Sequence, residues 1–158
     1  MLSIPQFREL IIKPALSVVG GFTPAAEQLV LGTALQESRL EFIKQLGGGP
    51  ALGLFQMEPA TYKDIWNNYL KFRKDLSDKV KTLAAPTTAD HPSPNELIGN
   101  MWYAAAMCRI HYMRVSDPLP KAGDIPGMAA YWKEFYNTIQ GAGTEEEFEE
   151  NWFANMGE

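Results

Sequence analysis

The sequence predicts an all-α domain, and three observations carry that prediction. Apolar residues recur at helical spacing in several segments, helix-start residues (Thr, Asp, Pro) precede those segments, and alternating runs long enough for a strand are missing. At 158 residues, 46% of them apolar and 21% charged, the chain has the size and balance of one globular domain spanning 1–158.

Taken in order, Phe7, Leu10 and Ile11 form a short apolar face, and Pro14 is expected to end or kink that first helix. Thr23-Pro24 is an N-cap followed by proline at the first helical position. The helix it opens carries Val30, Leu31, Ala34 and Leu35 and runs into Glu37-Ser38-Arg39. Gly47-Gly48-Gly49-Pro50 reads as a loop, with at most a minimal β-hairpin near 45–57. After Pro59, the spacing of Tyr62, Ile65, Trp66, Tyr69, Phe72 and Leu76 predicts one longer helix with a core-facing stripe. Ala84 to Asn95, rich in Pro, Thr and Ser, is the clear internal loop.

A helix from Glu96 to Arg114 follows, with Ile98, Trp102, Ala105, Met107 and Ile110 available for burial, and Asp117-Pro118-Leu119-Pro120 breaks it. Asp124 caps a helix through Met128, Tyr131, Trp132 and Phe135. Thr144 with Glu147 three residues on is a capping box, and Glu145-Glu146-Glu147 reads as a solvated helix start. Trp66, Trp102, Trp132 and Trp152 all read as core. Phe148, Trp152, Phe153 and Met156 make the last helix either a docking patch or a helix packed on its own core.

Several functions are excluded. Net charge is −5 and the fourteen Lys/Arg are scattered, so nucleic acid is not an expected partner. Cys108 is alone among apolar neighbours and reads as a small buried residue. No apolar run is long enough for membrane insertion, and the N-terminus lacks the pattern of a signal peptide. His91 and His111 lack metalloprotease spacing, no Gly-x-Ser-x-Gly elbow occurs, and the glycine run lacks the Lys-Ser/Thr of a phosphate loop. Neither a metal nor another cofactor is expected.

Glu37 lies seven residues after Val30 and three after Ala34, on the apolar stripe of its helix. A carboxyl there is desolvated and its pKa rises, as protonating a glycosidic leaving oxygen requires. A solvated glutamate at a helix end is the plain alternative. The residues that follow are more specific. Glu37-Ser38, then Ala51, Gly53, Leu54, Gln56, Pro59 and Thr61 at matching offsets, resemble the soluble lytic transglycosylases, whose pattern is Glu-Ser, Gly-Ala-x-Gly-Leu-Met-Gln and Pro-x-Thr. Phe135-Tyr136-Asn137-Thr138 resembles the family's later Ala-Tyr-Asn-Ala-Gly in Tyr136 and Asn137 alone, and Asn95–Tyr112 lies where the family has a long helix. The resemblance covers roughly 25–140. Pro50 stands where the family has glycine, and Gly47 near its acid-holding serine.

The resemblance implies a lysozyme-like fold, cleavage of peptidoglycan glycan strands, Glu37 as acid/base, and substrate contacts from Ser38, Gly53, Leu54, Phe55, Gln56, Tyr136 and Asn137. Read as residues, Gly53 admits a sugar ring or is a turn glycine, and Gln56 offers both a donor and an acceptor to a sugar or lies on a surface turn. Tyr136 bonds Glu37 or substrate, or is a core tyrosine. Asn137 binds an acetamido group or caps a helix, and Phe55 and Met57 flank the groove or are core.

Hydrolysis normally wants two carboxylates about 5–10 Å apart, and no companion to Glu37 is set by the motif; Glu41, Glu58 and Asp64 are the nearest candidates. Glu37 acting alone would close a 1,6-anhydro ring, whereas a second carboxylate would make the enzyme a lysozyme. Tyr131–Thr138 with the following Gly-Ala-Gly-Thr resembles bacteriophage variants. The chain is therefore expected in a virion, at the tail or among ejected proteins, with other virion proteins as partners, or in the host cytoplasm before release. A free endolysin and a virion structural component with little activity are the alternatives.

Overall fold

The computed structural model describes residues 1–137 and 141–157. It is all-α. The helices are α1 (Ile4–Gln6), α2 (Lys13–Val18), α3 (Pro24–Ser38), α4 (Pro59–Asn68), α5 (Lys74–Lys81), α6 (Glu96–Gly99), α7 (Met101–Met113), α8 (Ile125–Trp132) and α9 (Glu145–Met156). Two wider π-helical stretches, Phe7–Ile12 and Lys133–Asn137, join α1 to α2 and extend α8. No strand occurs among the described residues; the expected minimal hairpin is reduced to isolated antiparallel bridges, Lys44 with Leu52 and Leu52 with Met57.

The caps lie where the sequence puts them. Thr23 accepts from the Ala26 N–H at 3.0 Å, Asp124 accepts from Gly127, and Thr144 with Glu147 completes the reciprocal box. Pro14 departs from the expectation of a helix end. Pro14 does not end its helix, because the π-helical stretch before it widens the turn that its ring would crowd. The carbonyl of Leu10, which an ordinary residue at position 14 would bond, instead accepts from Trp102 Nε1 at 2.7 Å. That bond corrects the reading of Trp102 as core: its ring lies 50% exposed across the first helices. Leu10 is likewise exposed, while Phe7 of the same segment is buried.

Two expected long helices are each broken by one residue. After α4, Tyr69 leaves helical geometry (φ −131°, ψ −65°) with Arg73 stacked 3.8 Å from its ring centre, and a short 3-10 turn, Leu70–Phe72, precedes α5. Leu70 takes the core position and Phe72 is 71% exposed, against the expected stripe. Asn100 (φ −121°, ψ 95°) separates α6 from α7 because its side chain caps the second helix, accepting from Tyr103 N–H at 3.0 Å.

Helix α3 is the centre of the domain. Residues from Leu29 to Leu35 are all buried, so α3 is covered on every side and the single stripe read from the sequence is too narrow a description. It packs against α7, α8 and α9. Phe148 and Trp152 are buried in that packing, so the last helix covers its own core and the docking-patch expectation fails, with Phe153 alone of its large groups exposed, at 42%. A glycine lets α9 approach: a Cβ on Gly32 would lie 2.4 Å from the tip of the Phe148 ring. Gly-to-Ala in a helix normally stabilises by about 1 kcal/mol. Here overpacking reverses the sign, and Gly32→Ala is expected to cost roughly 1–2 kcal/mol in urea unfolding. Phe148→Leu in the Gly32→Ala background should recover part of that loss.

Candidate active site

Glu37 is on the last turn of α3, and the way that helix ends sets its position. Ser38 is buried; its hydroxyl donates to the Ala34 carbonyl at 3.2 Å and accepts from Leu40 N–H at 3.2 Å. Arg39 and Leu40 then take left-handed backbone (φ 53° and 55°), and the chain turns sharply out of the helix. Each such non-glycine residue costs roughly 1–2 kcal/mol, and Gln56 (φ 48°), also beside the cleft, is a third. Ser38 is therefore a helix stop that aims its neighbour, and the substrate contact implied for it is corrected.

The cleft encloses about 560 Å³, within the usual range for small-ligand sites. Glu37 lines it with Gln56, Met57, Thr61, His111, Trp132, Tyr136 and Asn137. Burial pushes the Glu37 carboxyl from its ordinary 4.5 up to about 7, against the opposing pull of a hydrogen bond from Trp132. In that bond Trp132 Nε1 donates to Glu37 Oε1 at 3.0 Å, from a ring that is itself fully buried against Phe148. Gln36 is also held, by Asn151 Nδ2 at 2.7 Å, so α9 braces the C-terminal end of α3.

The segment after the glycine run contributes less side chain to the cleft than expected. Gly53 has φ 78°, and a Cβ there would lie 2.1 Å from the Leu97 carbonyl oxygen. Backbone shape and packing against Leu97 demand the glycine, and the sugar-ring role is corrected. Leu54 and Phe55 are buried, Phe55 stacked on Phe7 at 6.2 Å, so neither offers its side chain to a ligand. Phe55 acts through its carbonyl, which accepts from Tyr136 hydroxyl at 2.6 Å. That bond takes the hydroxyl expected to reach Glu37, although the Tyr136 ring still lines the cleft.

Gln56 does line the cleft, with Nε2 donating to the Gly53 carbonyl at 2.9 Å and Oε1 without a partner among the described residues. Met57, buried, is on the wall. Asn137 is on the wall too; its Oδ1 accepts from Lys133 Nζ at 2.8 Å, and the same ammonium donates to the Gly141 and Gly143 carbonyls at 2.8 and 2.6 Å. Thr138 of the later motif lies outside the described residues.

The other carboxylate on the cleft wall is Glu58, which is exposed. Glu41 is exposed past the helix end and off the wall, and Asp64 is tied to Arg114 at 2.6 Å. Sequence reasoning missed Trp132 as the partner of Glu37 and His111 as a cleft residue. Both stand in apolar helical patterns that signal core, and core is where most of each ring lies. Cys108 is fully buried, which raises its thiol pKa well above the ordinary value and leaves it inert. Among the described residues no cluster of three potential metal ligands occurs and no helix is long and apolar enough to cross a membrane. Comparison with protein-family models, curated proteins and solved structures finds no match to this chain.

Proposed function

We propose that this chain is a peptidoglycan-cleaving lytic transglycosylase on a lysozyme-like helical fold, with Glu37 as its acid and then its base. The observation that carries the reading is one half-buried, desolvated carboxyl with a pKa near 7 on the wall of a 560 Å³ cleft, held by an indole N–H. A carboxyl titrating there is protonated often enough to donate and ionised often enough to accept near neutral pH.

Glu37 gives its proton to the glycosidic oxygen as the C1–O bond breaks, and the acetamido oxygen of the same sugar closes on C1. The Glu37 carboxylate then takes the proton of the 6-hydroxyl while O6 attacks C1 and the acetamido oxygen leaves. No water is consumed, so the product carries a 1,6-anhydro end. The second reading is hydrolysis, favoured by Glu58 on the same wall, which could hold a water.

Purified protein on sacculi, with products weighed by mass spectrometry, tests the proposal. Expected are muropeptide ends lighter than hydrolysed ends by two hydrogens and one oxygen, unchanged in Glu58→Gln. Reducing ends that vanish in Glu58→Gln would make the enzyme a lysozyme, and no cleavage at all would leave a structural component. We further propose that the enzyme meets the wall as part of a phage particle, since a net charge of −5 gives it no electrostatic hold of its own. Its presence in purified virions tests this.

A further inference from the structure

His111 is a polar group of the cleft that the mechanism leaves unused. It stands near the end of α7, 7% exposed, with its ring stacked on Tyr136 at 4.5 Å between centroids. One turn on, Arg114 Nη2 lies 3.3 Å from His111 Nδ1, while Arg114 Nη1 is anchored on Asp64 Oδ2 at 2.6 Å. A guanidinium has donors and no acceptor, so Nδ1 must accept. An imidazole whose Nδ1 offers a lone pair carries its one proton on Nε2. Burial, with the positive charge of Arg114, holds the imidazole pKa down at about 4, and the ring is neutral near pH 7.

Nε2 has no hydrogen-bond partner among the described residues, yet no fully buried polar atom there is left unpartnered. His111 lines the cleft that holds Glu37, where a bound ligand can meet its ring. A neutral N–H beside an aromatic face suits an acceptor-only oxygen with a methyl group next to it, which is the form of an acetamido carbonyl. Charge adds nothing to the preference, so a free ammonium in place of the acetamido group offers the N–H no acceptor.

We propose that His111 is a specificity-determining residue of this cleft, a neutral Nε2–H donor to the acetamido carbonyl of an N-acetylated sugar, with Arg114 as the positioning residue that sets its tautomer. The inference rests on the glycan-cleaving reading. The test uses the cleavage-silent Glu37→Gln protein, an N-acetylglucosamine tetramer and its fully deacetylated counterpart. Nitrogen-15 NMR of the otherwise unaltered chain should show the Nε2–H tautomer, with the Nε2 resonance moving on the acetylated tetramer.

Adding His111→Ala should weaken calorimetric binding of the acetylated tetramer roughly fivefold, the worth of one neutral hydrogen bond, and leave the deacetylated one unchanged. Adding Arg114→Met should mix the tautomers and give a smaller loss. An Nδ1–H tautomer, or acetylated tetramer that shifts Gln56 and leaves His111 unmoved, would overturn the His111 assignment and spare the glycan reading. Failure of the Glu37→Gln protein to bind either tetramer, together with intact sacculi after wild-type treatment, would overturn both.

Discussion

Glu37→Gln is expected to reduce clearing of cell walls by at least about a hundredfold, the lower range for loss of a general acid, while making the protein more stable at alkaline pH. The two effects have one cause. The folded-state pKa of Glu37 is about 7 against an ordinary 4.5, so between those values the folded chain binds more protons than the unfolded chain. Wild-type stability from this group is therefore lost as pH rises from about 4.5 to about 7, and the loss is complete above that.

Glutamine keeps an oxygen for the Trp132 N–H but never ionises. At about 1.4 kcal/mol for each tenfold in proton affinity, the variant should gain up to about 3 kcal/mol on wild type between pH 4.5 and pH 8. Melting curves at the two pH values measure this, with Tm separating by roughly 5–10 °C at pH 8 relative to pH 4.5. His111, whose lowered pKa works in the opposite sense as pH falls toward about 4, is present in both proteins and cancels. Equal Tm differences at both pH values would mean that Glu37 is solvated, and wild-type clearing by the variant would remove the catalytic role proposed for it.

Gly53→Ala should cost about 3–5 kcal/mol. The left-handed backbone (φ 78°) contributes roughly 1–2 kcal/mol of strain. The remainder comes from a Cβ built 2.1 Å from the Leu97 carbonyl oxygen, which is backbone and cannot rotate away. Tm should fall by roughly 10 °C or more, with activity lost because Gln56 and the Phe55 carbonyl ride on the same turn. A glycine needed only to admit a sugar ring would behave otherwise, with an unchanged Tm and weakened substrate binding alone. Calorimetry and a binding titration on the one variant separate the two.

What the sequence determined by itself is local. Thr23-Pro24, Asp124 and Thr144-Glu147 start helices in the structure as they do in the sequence, because a cap is settled within three or four residues. The all-α architecture and the desolvation of Glu37 were legible for the same reason, since spacing along a helix needs no knowledge of its neighbours. Tertiary structure decided the rest. Whether Tyr69 and Asn100 continue or break a helix depends on Arg73 stacking and on an Asn100 side chain that reaches both Leu83 and Tyr103. The backbone of Gly53 and the side chains of Phe55 and Ser38 answer to Leu97, Phe7 and Leu40 and not to a ligand, although their motif suggests one. Trp132 meets Glu37 across 95 residues and Arg114 meets Asp64 across 50. Such pairs join α3 to α8 and α4 to the end of α7, and a one-dimensional pattern carries no trace of them because both partners look like ordinary core or surface where they stand.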